Sequence, residues 1–193
     1  MASAEELTTR EITRLSKCLI GDRNEHRNRC YIFMLLYSGM RVSEPLQLRN
    51  GDVVNPDGTI KSMTVITQTK NGKSRRIYFP QKFHVFAEEH YKSKHHDDML
   101  PDCFFFTSKR TPNQPMSLGN AQRMIKQCFI NAGMSSKKTH SLRRSCAIFL
   151  RRDVGCDLEV IRTILGHSSL RQTQTYFSAS TIEASEALSS LSF

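Results

Sequence analysis

The sequence predicts an α+β fold that is mostly α-helical and has one small antiparallel sheet. Helix-like segments with capping residues and glycine ends fill most of the chain, and one stretch rich in β-branched and aromatic residues is interrupted by Asn71-Gly72. With 38% hydrophobic and 24% charged residues, the composition is typical of a globular protein and excludes disorder as the main state. A length of 193 residues favours one domain with at most a small appendage.

The first predicted helix begins at a capping box. Thr8 is the expected N-cap, Glu11 is its reciprocal partner, and Leu7 is placed to pack on Ile12 as a hydrophobic staple. We expect this helix to end near Ile20.

The second predicted helix covers about Asn24 to Ser38 and ends at Gly39, because glycine adopts the left-handed C-cap conformation at little cost. Arg41 therefore falls just past a helix end. Ser43 is expected to cap a short third helix, with Pro45 in its first turn, where the missing N–H has no intrahelical partner.

A β-hairpin is predicted next. Its strands cover Thr59 to Thr69 and Ser74 to Phe79, and Asn71-Gly72 favours the tight turn between them. This arrangement places Lys70 at the tip of the hairpin.

The rest of the chain is predicted to be helical with short loops. The expected helices are Gln81 to Lys94, Ser117 to Ala132, Thr139 to Val154, Asp157 to Leu165, and about Leu170 to Ser180. Residues 95–98 and 109–115 are predicted loops. The three aromatic residues at 104–106 are interpreted as core, since no basic residue is interleaved among them.

The charge of the chain indicates a polyanionic partner. There are 28 lysines and arginines against 18 acidic residues, a net charge of +10. Residues 59–87 contain six basic residues and no carboxylate. Neutralising phosphates releases condensed counterions, so such a surface binds nucleic acid with sequence-independent affinity.

Membrane insertion and export are both excluded by the sequence pattern. No apolar run approaches the roughly 18 residues of a membrane span, and the residues after Met1 form neither a basic nor an apolar leader. The six scattered cysteines form no C-x-x-C pair and are expected to be reduced thiols. We therefore expect a cytoplasmic protein, nucleoid-associated in a prokaryote.

His140 and Arg143 lie three residues apart near the start of a predicted helix, where both can face one anion. This spacing alone is weak evidence, but it belongs to an ordered set. The set runs Ser38-Gly39-Met40-Arg41-Val42-Ser43-Glu44, then Lys70-Asn71-Gly72-Lys73, then His140-Ser141-Leu142-Arg143, then Leu165-Gly166-His167-Ser168-Ser169, and finally Tyr176.

With these blocks in this order, the chain resembles the catalytic domain of the tyrosine recombinases, the phage-integrase family. The resemblance implies a DNA breaking-rejoining fold and strand exchange through a 3′-phosphotyrosyl intermediate. It further implies Tyr176 as the nucleophile, Arg41 and Arg143 as the phosphate clamp, and Lys70 as the general acid on the departing 5′ oxygen. His140 is assigned by resemblance to acid/base work on the tyrosine proton, and His167 to a hydrogen bond with the phosphate.

These residue types suit the chemistry. Guanidinium groups hold phosphate oxygens bidentately, and a basic neighbourhood lowers the pKa of a lysine and eases proton donation. The covalent intermediate conserves the phosphodiester's energy, so no ATP is expected. The arginines do the electrostatic work that a divalent metal does in nucleases, so no metal or other cofactor is expected either. Glu44 is interpreted as a brace for its own helix or for Arg41.

DNA contacts beyond the reacting centre are assigned to basic residues near these blocks: Lys73, Arg75, Arg76, Lys137, Lys138 and Arg144. The expected partner is double-stranded DNA, bound by a homotetramer that can be a monomer when free, with accessory DNA-bending proteins as further partners. No membrane partner is expected.

The predicted domain covers residues 1–180, and residues 181–193 form a helical tail that the resemblance implies is exchanged between subunits. Because the resemblance begins within the first ten residues, we expect either a compact form without the N-terminal core-binding domain or an excised catalytic domain. Arg144 stands where the family often has histidine, and Pro45 where an apolar residue is commoner.

Two alternatives remain open at this point. One is a type IB topoisomerase, which shares the phosphotyrosine chemistry but relaxes supercoils. The other is a non-catalytic DNA-binding regulator of the same fold, against which the complete residue set argues.

Overall fold

The computed structural model describes residues 5–67, 74–108, 111 and 114–177 of the chain. Within these ranges the protein is mostly α-helical with one two-stranded antiparallel sheet, which confirms the predicted fold class. The helices are α1 (Thr9–Cys18), α2 (Glu25–Ser38), α3 (Asn50–Val53), α4 (Gln81–Lys92), α5 (Leu118–Asn131), α6 (Thr139–Arg152), α7 (Leu158–Leu165) and α8 (Leu170–Gln174). Two 3-10 helices span Pro45–Gln47 and His96–Met99.

The capping box predicted for α1 is confirmed. The Glu11 amide donates to the Thr8 hydroxyl at 3.2 Å, and the Thr8 amide donates to the Glu11 carboxylate at 2.7 Å. Leu7, the staple residue, is fully buried. These contacts satisfy amides that a helix start otherwise leaves unpaired.

The central element of the core is α2. Its residues 30–36 are buried without a break, as expected for a helix surrounded by protein on all sides. It packs against α4 on one side and α6 on another. It ends at Gly39 with a φ of +62°, which confirms the predicted left-handed C-cap.

The hairpin strands are β1 (Met63–Thr67) and β2 (Ser74–Tyr78), paired antiparallel with Met63 opposite Tyr78. Burial alternates along both strands, and Arg75 and Ile77 face inward on β2. The predicted first strand began earlier than the observed one, because the segment near Val54 and Ile60 forms only an isolated bridge. The predicted Asn71-Gly72 turn lies outside the described residues.

The structure differs from the local predictions in four places. Glu44, not Ser43, occupies the N-cap position of the short helix, which is a 3-10 helix starting at Pro45. The four-residue helix α3 and the 3-10 helix His96–Met99 fall in segments that show no helical periodicity, so the sequence did not indicate them. Helix α8 ends at Gln174 and not near Ser180 as predicted, because the amides of Tyr176 and Phe177 donate to carbonyls three residues earlier, as in turns. The remaining helices end within about two residues of the prediction, and Phe105 and Phe106 are fully buried core residues.

A second, smaller apolar cluster lies where α6 meets α7. Ala147, Ile161 and Leu165 form its buried centre, and Tyr176 and Phe177 pack against it. This cluster holds the segment after α8 against α6, which brings Tyr176 to the site described below.

Across residues 5–67, 74–108, 111 and 114–177, no helix is both long and apolar enough to cross a bilayer. All six cysteines lie in the described ranges, and each has a free thiol.

Candidate active site

Arg41 lies in the turn that follows α2. Its backbone amide donates to Glu44 Oε2 at 2.6 Å, and its Nη1 donates to Glu44 Oε1 at 3.0 Å. The Arg41 side chain remains 40% exposed while that of Glu44 is 6% exposed. Glu44 therefore orients the guanidinium group from beneath and leaves its outer edge open to an anion, in agreement with the bracing role predicted for it.

Arg143 projects from the second turn of α6 and is almost completely buried. Its Nη1 donates to the Gly39 carbonyl at 2.6 Å and its Nη2 to the Leu165 carbonyl at 2.7 Å. Burial, followed by the nearby charges of Arg41 and Arg75, lowers its pKa to about 10. Arg143 therefore stays protonated at neutral pH despite its burial.

Three arginines converge on the C-terminal end of α7. Its consecutive carbonyls at Ile164, Leu165 and Gly166 accept hydrogen bonds from Arg75, Arg143 and Arg41, at 2.5, 2.7 and 3.4 Å respectively. A helix C-terminus carries partial negative charge and leaves its last carbonyls without intrahelical partners, so it is a favourable acceptor for cations. The end of α7 thus assembles positive charge from three distant parts of the chain.

Tyr176 forms a hydrogen bond with His140. The distance between the tyrosine hydroxyl and His140 Nε2 is 2.7 Å. Burial, with added repulsion from Arg143, Arg41 and Arg144, lowers the pKa of His140 below its ordinary value. The imidazole is consequently neutral at pH 7 and able to accept the phenol proton. Tyr176 is also close enough to Arg143 to offset part of the lowering of that arginine's pKa, so the phenol lies within electrostatic reach of the guanidinium group.

His167 follows the left-handed Gly166 that ends α7. Burial, followed by Arg143 and Arg41, lowers its pKa to about 4, so it too is neutral at pH 7. Its Nδ1 lies 2.9 Å from the hydroxyl of the fully buried Thr173, and its ring centroid is 5.7 Å from that of Tyr176. When the threonine hydroxyl donates to Nδ1, the proton of the imidazole resides on Nε2, ready to be donated.

Arg144 also contacts Tyr176. Its Nη2 donates to the Tyr176 carbonyl at 3.2 Å, and its guanidinium carbon lies 5.6 Å from the ring centroid. Its Nε is 3.6 Å from a Glu6 carboxylate oxygen. The sequence suggested a contact with the DNA backbone, whereas the structure places this side chain against the tyrosine.

The structure thus brings together five of the six residues that the sequence predicts to take part in the reaction: Arg41, His140, Arg143, His167 and Tyr176. The sixth, Lys70, lies outside the described residues. Within the described ranges, no three histidine, cysteine, aspartate or glutamate side chains are close enough to share a metal ion.

Apart from Arg144 and Lys73, the predicted DNA contacts fall into two groups. Arg76 and Lys138 are exposed, as a phosphate contact requires, and Lys73 lies outside the described residues. Arg75 is buried against Glu44, and Lys137 is paired with Glu5 and Glu11 and is 10% exposed. These two side chains are engaged within the protein instead of being presented to solvent.

Sequence reasoning missed two contributors to the site. Thr173 carried no signal of its own, because a threonine in a polar helix is ordinary. Arg75 was assigned to a basic surface from local composition. The strand alternates between two faces, and the polar residues Ser74 and Arg76 beside it did not show that Arg75 is on the buried face.

Comparison with known proteins identifies relatives of this chain. The profile of the Phage integrase family matches residues 5–182. The chain is 29% identical over 172 residues to tyrosine recombinase XerA of Pyrococcus furiosus, a match that covers 89% of this chain and 56% of that protein. It is 29% identical over 154 residues to tyrosine recombinase XerD of Neisseria meningitidis, covering 78% of this chain and 50% of that protein. The chain therefore spans about half the length of the curated relatives it matches.

Solved structures share the fold. A crystal structure of XerA recombinase superposes with a TM-score of 0.78 at 24% identity, covering 100% of this chain and 68% of that one. The pre-cleavage complex of XerH recombinase with its difH substrate gives a TM-score of 0.72 at 21% identity, covering 96% of this chain and 53% of that one.

Proposed function

Because the chain belongs to the phage integrase family, we propose that it is a site-specific DNA recombinase that cuts and rejoins strands through a covalent bond to Tyr176. The observation that carries this proposal is the 2.7 Å hydrogen bond between the Tyr176 hydroxyl and His140 Nε2, formed beside two arginines. A phenol next to a neutral imidazole and fixed positive charge is an arrangement suited to phosphoryl transfer to an oxygen nucleophile.

Cleavage proceeds by attack of the Tyr176 oxygen on the scissile phosphorus. His140 accepts the phenol proton, the new bond joins the tyrosine oxygen to the 3′ phosphate, and the bond to the 5′ oxygen breaks. Lys70 supplies the proton that this oxygen gains as it leaves. Arg41 and Arg143 balance the charge that develops on the non-bridging oxygens, and His167 donates a hydrogen bond to one of them. A 5′ hydroxyl from another strand reverses these steps and completes the exchange.

DNA binding draws on the basic surface around this centre. Arg76 and Lys138 are exposed, Lys73 lies nearby in sequence, and these three are the proposed phosphate contacts. The pairing of Arg75 and Lys137 with carboxylates assigns these residues to holding the protein's own elements in place. We propose that the protein acts in the cytoplasm on nucleoid DNA, with DNA-bending proteins as accessory partners.

Assembly on DNA is proposed to be tetrameric, with residues 181–193 exchanged between copies.

A mostly apolar cavity is the proposed docking site for the exchanged tail. It has a volume of about 510 Å³ and lies between α2, β2, α6 and α7, lined among others by Tyr37, Leu150, Val160 and Ile164. The tail carries apolar residues at spacings that suit such a cavity: Ile182, Ala184, Ala187, Leu188 and Leu191. The tail of a neighbouring copy is the proposed occupant. Deleting residues 181–193, or replacing Val160 with glutamate, should lower the molecular mass of the protein–DNA complex measured by analytical ultracentrifugation. Neither change should unfold the chain.

The proposed activity is tested by trapping the covalent protein–DNA complex on a nicked suicide duplex. After cleavage, the short fragment that carries the freed 5′ hydroxyl diffuses away, so the strand cannot be rejoined. The DNA site is first recovered by incubating the wild-type chain with random-sequence nicked duplexes and sequencing those that survive denaturing capture. Wild type should give a band shifted on a denaturing gel, and Tyr176→Phe should give none. A shifted band that persists in Tyr176→Phe would overturn the nucleophile assignment. A plasmid with two recovered sites then separates recombination, which changes connectivity, from relaxation, which changes linking number alone.

A further inference from the structure

Arg75 occupies a position where the strand pattern calls for an apolar side chain. It faces inward on β2 between two exposed neighbours, opposite the buried Ile66 of β1. Its side chain is 6% exposed. A buried guanidinium group is stable only when its charge is compensated, so its contacts carry information about its role.

Those contacts link three elements that surround the arginine site. Nη2 of Arg75 donates to Glu44 Oε2 at 2.6 Å, and Nη1 donates to the Ile164 carbonyl of α7 at 2.5 Å. The same Glu44 oxygen accepts the Arg41 amide, and the next carbonyl of α7, at Leu165, accepts Arg143. Arg75 thus contacts the carboxylate that holds Arg41 and the carbonyl next to the one that holds Arg143, but it lies too deep to reach a ligand itself.

This placement is unfavourable for stability alone. Arg75 adds a third guanidinium group to a cluster, defined as Arg41, Glu44, Arg75 and Arg143, that contains a single carboxylate. Its Nε is buried and has no hydrogen-bond partner among the described residues. An apolar side chain of similar volume would generally stabilise a protein more than a partly compensated buried charge. An external anion bound at the open edge of Arg41 would supply the missing negative charge.

Glu44 depends on Arg75 for its ionised state. Burial by itself raises the pKa of this carboxyl, but Arg75, with help from the Arg41 amide and Arg143, lowers it overall. With Arg75 removed, a buried carboxylate would lose its strongest partner and would either take up a proton or turn away. In both cases Arg41 would lose the support that orients it.

We propose that Arg75 is a positioning residue of the phosphate site: it fixes Glu44 and the end of α7, and through them the orientation of Arg41 and Arg143. This inference rests on the proposed function, since the anion it prepares the site for is the scissile phosphate.

Arg75→Gln is the test variant, and Arg29→Gln is its matched control. Arg29 is also partly buried and ion-paired, with Glu25 and Glu89, but it lies in the first turns of α2, at the opposite end from Gly39. The readout is the single-turnover rate of covalent complex formation on the recovered nicked duplex, at saturating protein. A second duplex has a methylphosphonate at the scissile position, which removes the charge that guanidinium groups neutralise.

We expect Arg75→Gln to form the covalent complex about 100-fold more slowly on the phosphodiester, the scale of loss that a small displacement of reacting groups produces. On the methylphosphonate the loss should be largely abolished, and Arg75→Lys, which keeps the charge, should recover part of the rate. Arg29→Gln should match wild type on both duplexes. An Arg75→Gln variant as fast as Arg29→Gln, or one slowed equally on both duplexes, would refute the positioning role.

If wild type forms no covalent complex, the proposed function is refuted. A second measurement, which needs no DNA, then still tests the role of Arg75. Side-chain ¹⁵N spectra report the mobility of the Nε–H groups of Arg41 and Arg143 while inorganic phosphate is titrated. In Arg75→Gln both signals should become more mobile and respond less to phosphate than in Arg29→Gln. Signals unchanged from wild type would overturn the inference.

Discussion

His140 on α6 and Tyr176 after α8 meet within one chain, with 2.7 Å between Nε2 and the phenol oxygen. The small apolar cluster between α6 and α7 makes this contact possible, because the segment that carries Tyr176 packs against it. The proposed nucleophile and its proton acceptor are therefore already paired before DNA binds.

The pairing predicts how cleavage depends on pH. Burial and the surrounding arginines lower the pKa of His140, so the imidazole accepts a proton only above that lowered value. The single-turnover rate should rise with pH through a pKa below the ordinary value of about 6.5 and be flat near neutrality. His140→Ala should abolish this rise and lower the plateau about 100-fold or more. A rate that falls as pH rises across this range would show that His140 acts in its protonated form.

Arg144 is predicted to hold Tyr176 in place. Arg144→Gln removes both the bond to the Tyr176 carbonyl and the cation near its ring, and we expect cleavage to slow about tenfold. It also removes one of the charges that lower the pKa of His140, so the acid side of the pH profile should move to higher pH. Arg151→Gln, on the same helix but paired with Asp157, is the control and should leave both quantities unchanged. Identical behaviour of the two variants would contradict the role assigned to Arg144.

Thr173 is predicted to set the tautomer of His167. Thr173→Val keeps the shape but removes the hydroxyl 2.9 Å from Nδ1. We expect a loss of about 1 kcal/mol in the free energy of unfolding and a tenfold or greater fall in cleavage rate, about what one misplaced hydrogen bond costs. Thr173→Ser retains the hydroxyl and should restore most of the rate. Urea denaturation measures the change in the free energy of unfolding. Equal cleavage rates for the valine and serine variants would show that the hydroxyl does not matter.

Gly39 combines a positive φ with a close approach to α7. A Cβ at this position would lie 2.6 Å from Leu165 Cδ2 and 3.2 Å from Cys146 Sγ. Gly39→Ala should therefore destabilise the protein by more than the roughly 1–2 kcal/mol expected for a left-handed non-glycine residue. Gly155→Ala isolates the backbone part, because Gly155 has a φ of +77° and no atom within 4 Å of its Cβ position. Equal unfolding free energies for the two variants would mean that α7 shifts without cost.

The sequence alone determined what depends on neighbouring residues. The Thr8–Glu11 capping box, the end of α2 at Gly39 and the alternating strands follow from contacts within a few residues, so local pattern was sufficient to predict them. The ordered blocks around Arg41, His140, Arg143, His167 and Tyr176 likewise named the residues of the site. Their local spacing, however, could not say how these side chains would meet.

Only the tertiary structure decided which partners the arginines take. Arg75, Arg143 and Arg41 bind carbonyls of α7 that are 89, 22 and 125 positions away along the chain. Arg75 faces inward because the end of α7 and Glu44 offer it acceptors there, whereas composition alone placed it on a basic surface. Such contacts depend on how whole elements pack, and the energy of a buried charge is set by groups that are neighbours in space and not in sequence.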